Sequence, residues 1–200
     1  MTGSAPLDWN VAARALAAEG GDRAVIAMRG ERALAAAIDG LGHGSKAAMA
    51  AETARAVIEG SPEQDVVSIV ERCHVALRAT RGVAMSVASF DCAADVMTWA
   101  GVGNVEGRLL RGGEPGRPAE SLLLRSGVAG HELPQLTASE VGLRRGDVLI
   151  FATDGIRRDF ADQMATSGST RDIAERLLER HATQTDDALV LVARYMGTKS

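Results

Sequence analysis

Hydrophobic residues along this chain form short runs that are separated by glycine, proline and acidic residues. Apolar runs of this length, bounded by turn residues, are typical of buried β-strands. Strands are predicted at 23–28, 33–38, 83–90, 96–100, 105–111, 121–125, 148–153 and 188–194. The run at 148–153 is the most uniformly apolar and is predicted to be central. The stretch 8–17 alternates only weakly and fits either a helix or a strand.

Other segments have apolar residues every three or four positions, as amphipathic helices do. The first predicted helix spans 45–58 and has alanines along one side. The second has Ser61 as its N-cap, Pro62 at the first helical position and Gln64 at the capping-box position, and it ends near 81–82. Ser169, with Asp172 three residues later, opens the last helix.

The order of these elements indicates the fold class. Two hairpins, 23–38 and 83–100, flank a pair of helices, and the strand 105–111 is predicted to continue the second hairpin as a meander. Runs of strands separated by paired helices, without strict strand–helix alternation, favour an α+β fold with mainly antiparallel sheets.

Composition narrows the class of protein. The 200 residues are 46% hydrophobic and 24% charged, which predicts one ordinary globular domain over 1–200. The apolar stretches fall short of the roughly 18 residues that a membrane span needs. A net charge of −4 without a dense Lys/Arg block gives no indication of nucleic-acid binding. Two cysteines are too few for a disulfide scaffold, so a cytoplasmic protein is expected.

Acidic residues mark the ends of the predicted strands. Apolar runs stop at Asp39-Gly40 and at Asp154-Gly155, another begins after Asp186-Asp187, and Asp22 follows two glycines. Each Asp-Gly pair alone is also compatible with a simple turn. Several carboxylates at strand ends indicate a site for a cation, and hard oxygen donors favour Mg²⁺ or Mn²⁺ over zinc.

Four motifs, taken in order, resemble the PPM (type 2C) family of metal-dependent Ser/Thr phosphatases. They are Gly20-Gly21-Asp22, Ile38-Asp39-Gly40-Leu41-Gly42-His43-Gly44, Ala152-Thr153-Asp154-Gly155 and Thr185-Asp186-Asp187-Ala188-Leu189. The Asp-Gly-x-Gly-His-Gly form and the closing Asp-Asp pair resemble the SpoIIE-type bacterial branch. Two further segments, 80–85 and 99–105, resemble the small stand-alone phosphatases of the stressosome. The resemblance covers nearly the whole chain, so no sensor or regulatory domain is expected.

The resemblance implies a fold and a ligand set. The implied fold is a four-layer αββα sandwich, in which two antiparallel sheets pack together with helices outside. Asp39 matches the residue that bridges two metals, and Asp22 and the Gly40 carbonyl match ligands of one ion. Asp154 and Asp186 match ligands of the other, with Asp187 in a supporting position. The four residues Asp22, Asp39, Asp154 and Asp186 are therefore the expected catalytic set.

The chain departs from the wider family at two positions. Asn104 and Arg158 stand where many members carry further acidic residues, so two ions rather than three are expected. His43 has two interpretations, as a general acid for the leaving oxygen or, with more weight, as a solvated residue at the start of a helix.

The resemblance implies a phosphatase that removes phosphate from Ser or Thr. Its substrates would be STAS-domain proteins of a stressosome-like complex in a bacterial stress response. Two alternatives stay open: a catalytically silent module that binds a phosphoprotein, and a hydrolase of small phosphorylated metabolites.

Overall fold

Ten strands form two five-stranded antiparallel sheets in the computed structural model, which describes residues 5–16, 19–61, 65–113, 119–161 and 167–197. The first sheet has the order β1-β10-β9-β6-β7 and the second β2-β3-β4-β5-β8. The strands are β1 Leu7–Arg14, β2 Asp22–Arg29, β3 Arg32–Gly40, β4 Val83–Asp91, β5 Val96–Val102, β6 Glu106–Leu110, β7 Glu120–Ser121, β8 Ser139–Gly142, β9 Val148–Ala152 and β10 Ala188–Tyr195. As predicted from its apolar run, β9 is the central strand of its sheet.

The sheets pack face to face, and β3 shows why this sequence forms a middle layer. Its residues alternate between two cores: Ala33, Ala35 and Ala37 face the other sheet, whereas Leu34 and Ile38 face the helices. A strand buried on both faces reads as a continuous apolar run, because neither face meets water. The predicted antiparallel sandwich is therefore confirmed.

Three α-helices in the described part of the chain form the outer layers. Helices α1 (Ser45–Glu59) and α2 (Val66–Ala76) cover the second sheet, and α3 (Thr170–His181) covers the first. Ser169 and Asp172 form the predicted capping box of α3. Among the described residues no helix is long and apolar enough to cross a membrane.

The predicted start of α2 at Ser61 is wrong. The cap is Asp65, whose side chain accepts a hydrogen bond from the Ser68 amide at 2.9 Å. The Ser61 hydroxyl instead donates to the Val57 carbonyl at 2.7 Å, so it belongs to the end of α1. Pro62 and Gln64 lie outside the described residues.

The predicted meander over 83–111 is also wrong, because β6 lies in the other sheet. It pairs with β9 and β7 rather than with β5. The chain turns at Gly103, where φ is 89° and a Cβ would lie 2.4 Å from that of Ala84. Val105 is then buried between the sheets, and its carbonyl accepts the Ser86 hydroxyl at 2.6 Å. Strand alternation cannot reveal such a crossing, since both sheets bury the same kinds of residues.

Two smaller differences concern the remaining strands. The ambiguous stretch 8–17 contains β1, which pairs along its whole length with β10 at the edge of the first sheet. The segment 137–147, which carried no predicted element, contains β8. Because β8 is only four residues long and largely exposed, its apolar signal is weak.

Candidate functional site

Acidic residues from both sheets meet at one end of the sandwich. Asp22 and Asp39 lie directly opposite each other on β2 and β3. Asp154 follows β9 and Asp186 precedes β10, and these strands are antiparallel neighbours, so the two residues lie at the same edge. The hydroxyl of Thr153, which directly precedes Asp154, donates to Asp22 Oδ2 and joins this edge to the first pair. The fold thus brings together four acidic residues that span 165 positions of sequence.

Burial and the repulsion of neighbouring carboxylates raise the pKa of three of these groups, Asp22, Asp39 and Asp154. Burial raises the pKa of Asp39 to about 8, and the charges of Asp22, Asp154, Asp186 and Asp187 add to the rise. Burial is also the main reason that the pKa of Asp22 rises to about 7. The pKa of Asp154 is raised by burial and by Asp186. The negative charge of these clustered carboxylates is therefore poorly compensated unless a positive charge binds beside them.

Thr153 connects the two sheets at this point. Its hydroxyl donates to Asp22 Oδ2 at 2.7 Å and accepts the Leu189 amide at 2.9 Å. A hydroxyl has only one proton to donate. Because the Leu189 amide donates to the hydroxyl oxygen, that proton is directed at Asp22. Thr153 therefore fixes the orientation of the Asp22 carboxylate, a role that sequence reasoning missed although the residue directly precedes Asp154.

Asp187 uses its carboxylate to hold the backbone. It is only 7% exposed, and its oxygens accept the amides of Leu16 at 2.7 Å and Gly21 at 2.5 Å. These contacts fix the chain entering β2, immediately before Asp22. Both Asp187 oxygens are thus engaged by backbone amides, whereas Asp186 is exposed and its Oδ1 accepts the Asp187 amide at 2.9 Å.

Three glycines allow this close packing. A Cβ at Gly40 would lie 2.2 Å from the Ala47 carbonyl, and one at Gly155 would lie 1.9 Å from the Asp187 carbonyl. A Cβ at Gly21 would stand 3.2 Å from the Gly40 carbonyl oxygen and 3.6 Å from Asp187 Oδ2. Without these side chains, the backbone segments around the acidic end can pack this closely against one another.

Asn104 and Arg158, the two positions where an acidic residue is replaced, lie beside Asp154. The Asn104 amide donates to Asp154 Oδ2 at 2.6 Å, while its own Oδ1 is buried and has no partner among the described residues. Arg158 contacts Glu106 at 3.2 Å and lowers the pKa of Asp154, although burial outweighs this effect. An amide donor and a guanidinium thus stand on this side of the carboxylate cluster.

The donor set fits a divalent ion that prefers oxygen. Carboxylates and a backbone carbonyl are hard ligands, and a doubly charged cation would offset the burial and the repulsion that raise the pKa values. Within the described ranges, no three His, Cys, Asp or Glu side chains converge tightly enough to enclose an ion unaided. Mg²⁺ commonly keeps several waters in such sites, so a carbonyl and water could complete the shell.

The comparison with protein-family models gives a match over most of the chain. Residues 29–196 match the model described as Stage II sporulation protein E (SpoIIE). The chain belongs to the SpoIIE family. The family predicted from the four acidic motifs is thereby confirmed.

Individual relatives agree with the family. Phosphoserine phosphatase RsbX of Bacillus subtilis (strain 168) is 35% identical over 72 residues, which is 36% of each chain. The aligned part thus spans about a third of that relative. One solved structure, from work on the bacterial stressosome as a modular system adapted to control secondary messenger signalling, is 28% identical. It has a TM-score of 0.83 and covers 94% of this chain and 99% of that one.

The structure of RsbX in complex with magnesium shares the fold. It covers 96% of each chain with a TM-score of 0.84, at 22% identity. Strands and helices of this SpoIIE-family chain therefore follow a common plan even where the sequence has diverged.

Proposed function

We propose that this chain is a Mg²⁺- or Mn²⁺-dependent protein Ser/Thr phosphatase. The observation that carries the proposal is the convergence of Asp22, Asp39, Asp154 and Asp186, with the pKa of Asp39 raised to about 8. Clustered carboxylates with strongly perturbed pKa values are typical of functional sites. RsbX, a partial relative, is named a phosphoserine phosphatase, which supports the same chemistry.

In this proposal two ions bind at the acidic end. Asp39 would hold both, Asp22 and the Gly40 carbonyl would hold one, and Asp154 and Asp186 the other. When bound, such ions supply Lewis-acid activation of water and neutralise phosphoryl charge. The chain's own part is to orient the ligands: Thr153 aims the Asp22 carboxylate and Asp187 fixes the backbone at Gly21.

The proposed substrates are phosphorylated STAS-domain proteins of a stressosome-like complex. The support is the likeness to a protein solved in stressosome work, which covers 99% of that chain at 28% identity, together with the match to RsbX. Such partners would place the protein in the cytoplasm, where its two free cysteines, both buried, would stay reduced.

Three substrates test the proposal. Rates should be compared for a phosphorylated STAS domain, free phosphoserine and p-nitrophenyl phosphate, with Mn²⁺ or Mg²⁺ and with a chelator. A protein phosphatase should turn over the STAS phosphoprotein with the highest kcat/KM and stop when the metal is removed. Asp154→Asn serves as the control, because it keeps the size of the side chain and removes its charge.

The alternatives predict other outcomes of the same experiment. A silent binding module would bind the phosphoprotein and hydrolyse none of the three substrates. A metabolite hydrolase would favour a small phosphorylated compound over the phosphoprotein. Metal-dependent activity of Asp154→Asn at the normal rate would contradict the proposed ligand set.

A further inference from the structure

Arg81 lies against the loop that follows Asp39 and Gly40. A Cβ placed on Gly42 would stand 2.5 Å from Arg81 Nη1. Arg81 is exposed, and its side chain makes no hydrogen bond or ion pair with the described residues. Gly42 has φ of 84°, a conformation that favours glycine, and the missing side chain leaves room for the guanidinium.

The backbone that carries Arg81 is firmly held. The Leu41 amide donates to the Gly82 carbonyl at 3.1 Å, which fixes the turn at Arg81-Gly82 against the loop that follows Asp39 and Gly40. The Thr80 hydroxyl accepts the Gly82 amide at 3.0 Å and donates to the Leu77 carbonyl at 2.7 Å. Gly82 itself has φ of 77°. Arg81 therefore stands at a defined position while its charged end stays available.

Two other arginines close to the acidic residues are already engaged. Arg23 donates to the carbonyls of Gly20 and Asp22 at 2.8 and 2.7 Å. Arg158 pairs with Glu106 at 3.2 Å. Arg81 differs from both because its guanidinium has no such partner among the described residues and lies beside Gly42, in the loop that follows Asp39 and Gly40.

A phosphorylated substrate would gain from such a cation. A phosphate dianion that approaches Asp22, Asp39, Asp154 and Asp186 meets a field of the same sign. An arginine offers donors in a planar fork, which match two phosphoryl oxygens at once. A fixed backbone lowers the entropy lost when that contact forms.

We propose that Arg81 binds the phosphoryl group of the substrate at the edge of the acidic site, through its guanidinium beside Gly42. This inference rests on the proposed phosphatase function and names a further residue for it. Arg81 contributes charge and orientation only, so no bond to it forms or breaks during hydrolysis.

Inorganic phosphate tests the contact without any turnover. The Mg²⁺-loaded full chain should be titrated calorimetrically with phosphate in four forms: wild type, Arg81→Ala, Arg81→Lys and Arg78→Ala. Arg78 is the matched control, since it is exposed, has no partner among the described residues and follows the same helix. We expect Arg81→Ala to weaken phosphate binding about 10- to 100-fold, as for loss of a charge-assisted hydrogen bond. Arg81→Lys should recover part of the loss, and Arg78→Ala should stay within about twofold.

Kinetics distinguish a phosphate contact from a structural role. Arg81→Ala should raise KM for p-nitrophenyl phosphate and for the phosphoprotein by similar factors, again about 10- to 100-fold. Millimolar guanidinium ion should restore part of the activity of Arg81→Ala. The melting temperature and the Mg²⁺ affinity should not change, whereas a structural residue would alter both.

The outcomes separate the two proposals. Phosphate binding by Arg81→Ala that equals the wild type would overturn the role of Arg81. A KM effect on the phosphoprotein alone would also overturn it, because Arg81 would then contact the protein part of the substrate. A wild type that hydrolyses no substrate would reject the phosphatase function, while the phosphate titration would still decide whether Arg81 binds the anion.

Discussion

Two regions of this molecule bury carboxylates in opposite ways. At Asp147, whose side chain is fully buried, the oxygens accept Arg111 Nη1 at 2.6 Å and the amides of Gly112 and Arg144 at 2.8 and 2.9 Å. At the other region, burial and the like charges around it raise the pKa of Asp39 to about 8. The protein's own donors satisfy the first carboxylate, whereas the second needs something from outside. That contrast distinguishes a structural ion pair from a candidate binding site.

The largest expected effect comes from removing charge at the unsatisfied region. Asp39→Asn and Asp154→Asn should each lower kcat on a phosphoprotein by at least about a thousandfold, because each loses a proposed ligand of the ions that supply most of the catalysis. Steady-state rates with Mn²⁺ and with Mg²⁺ measure this. A variant within tenfold of the wild type would show that the residue holds no essential ion.

Breaking the satisfied pair should instead damage the fold. Arg111→Ala leaves Asp147 buried and charged, so the free energy of unfolding should fall by about 3–5 kcal/mol. Urea titration of the metal-free protein measures the loss, and Arg145→Ala provides an exposed-arginine control. An unchanged unfolding midpoint would mean that water or other donors replace Arg111, and the contrast between the regions would weaken.

The affinity for a divalent ion should rise with pH. The pKa values of about 8 for Asp39 and about 7 for Asp22 mean that both carboxyl groups hold protons at pH 6, and binding must displace them. Between pH 6 and pH 8 the Mn²⁺ affinity should increase roughly 10- to 100-fold. The number of protons that the protein releases when the ion binds should decrease over the same range. Calorimetry in buffers of different ionisation enthalpy measures both quantities. An affinity independent of pH would contradict the raised pKa values.

The smallest expected effect is a gain in stability. The pKa of Asp39 is raised from 3.8 to about 8 on folding, so the unfolded chain releases this proton at lower pH and folding loses stability as pH rises through that window. At pH 7 the linkage sets an upper limit of about 4 kcal/mol, and Asp39→Asn should stabilise the metal-free protein by about 1 kcal/mol of it, a few degrees in Tm, because the carboxylate is partly exposed and solvent screens it. The gain should shrink toward pH 4. A loss of stability at pH 7 would show that the Asp39 carboxylate has stabilising partners.

Sequence patterns that extend over only a few residues correctly predicted structural features that depend on neighbouring residues. The capping box at Ser169 and Asp172 and the apolar run of β9 were confirmed, because both need only a few adjacent side chains. The predicted cap at Ser61 was wrong because a second polar candidate, Asp65, lies four residues further on. The side chain of Asp65 accepts the Ser68 amide at the true start of α2. Pattern alone could not choose between two polar candidates that both precede apolar residues.

The site was predictable only in part. The acidic positions stood out because each ends or begins an apolar run, and the motifs around them indicated the family. Their assignment as ligands stays a prediction, as does the role of His43, which is exposed next to the start of α1. The link from Thr153 to Asp22 joins residues 131 positions apart and has no local signal.

By itself the sequence determined which residues are buried, where most strands and helices lie, and which carboxylates stand at strand ends. These follow from hydrophobic periodicity and turn chemistry, which act over a few residues. Only the tertiary structure decided that β6 crosses to the other sheet and that Asp22 and Asp39 face each other across a strand pair. It also decided that Asp147 has a cationic partner whereas Asp39 has none among the described residues, because electrostatic compensation depends on which distant groups the fold brings together.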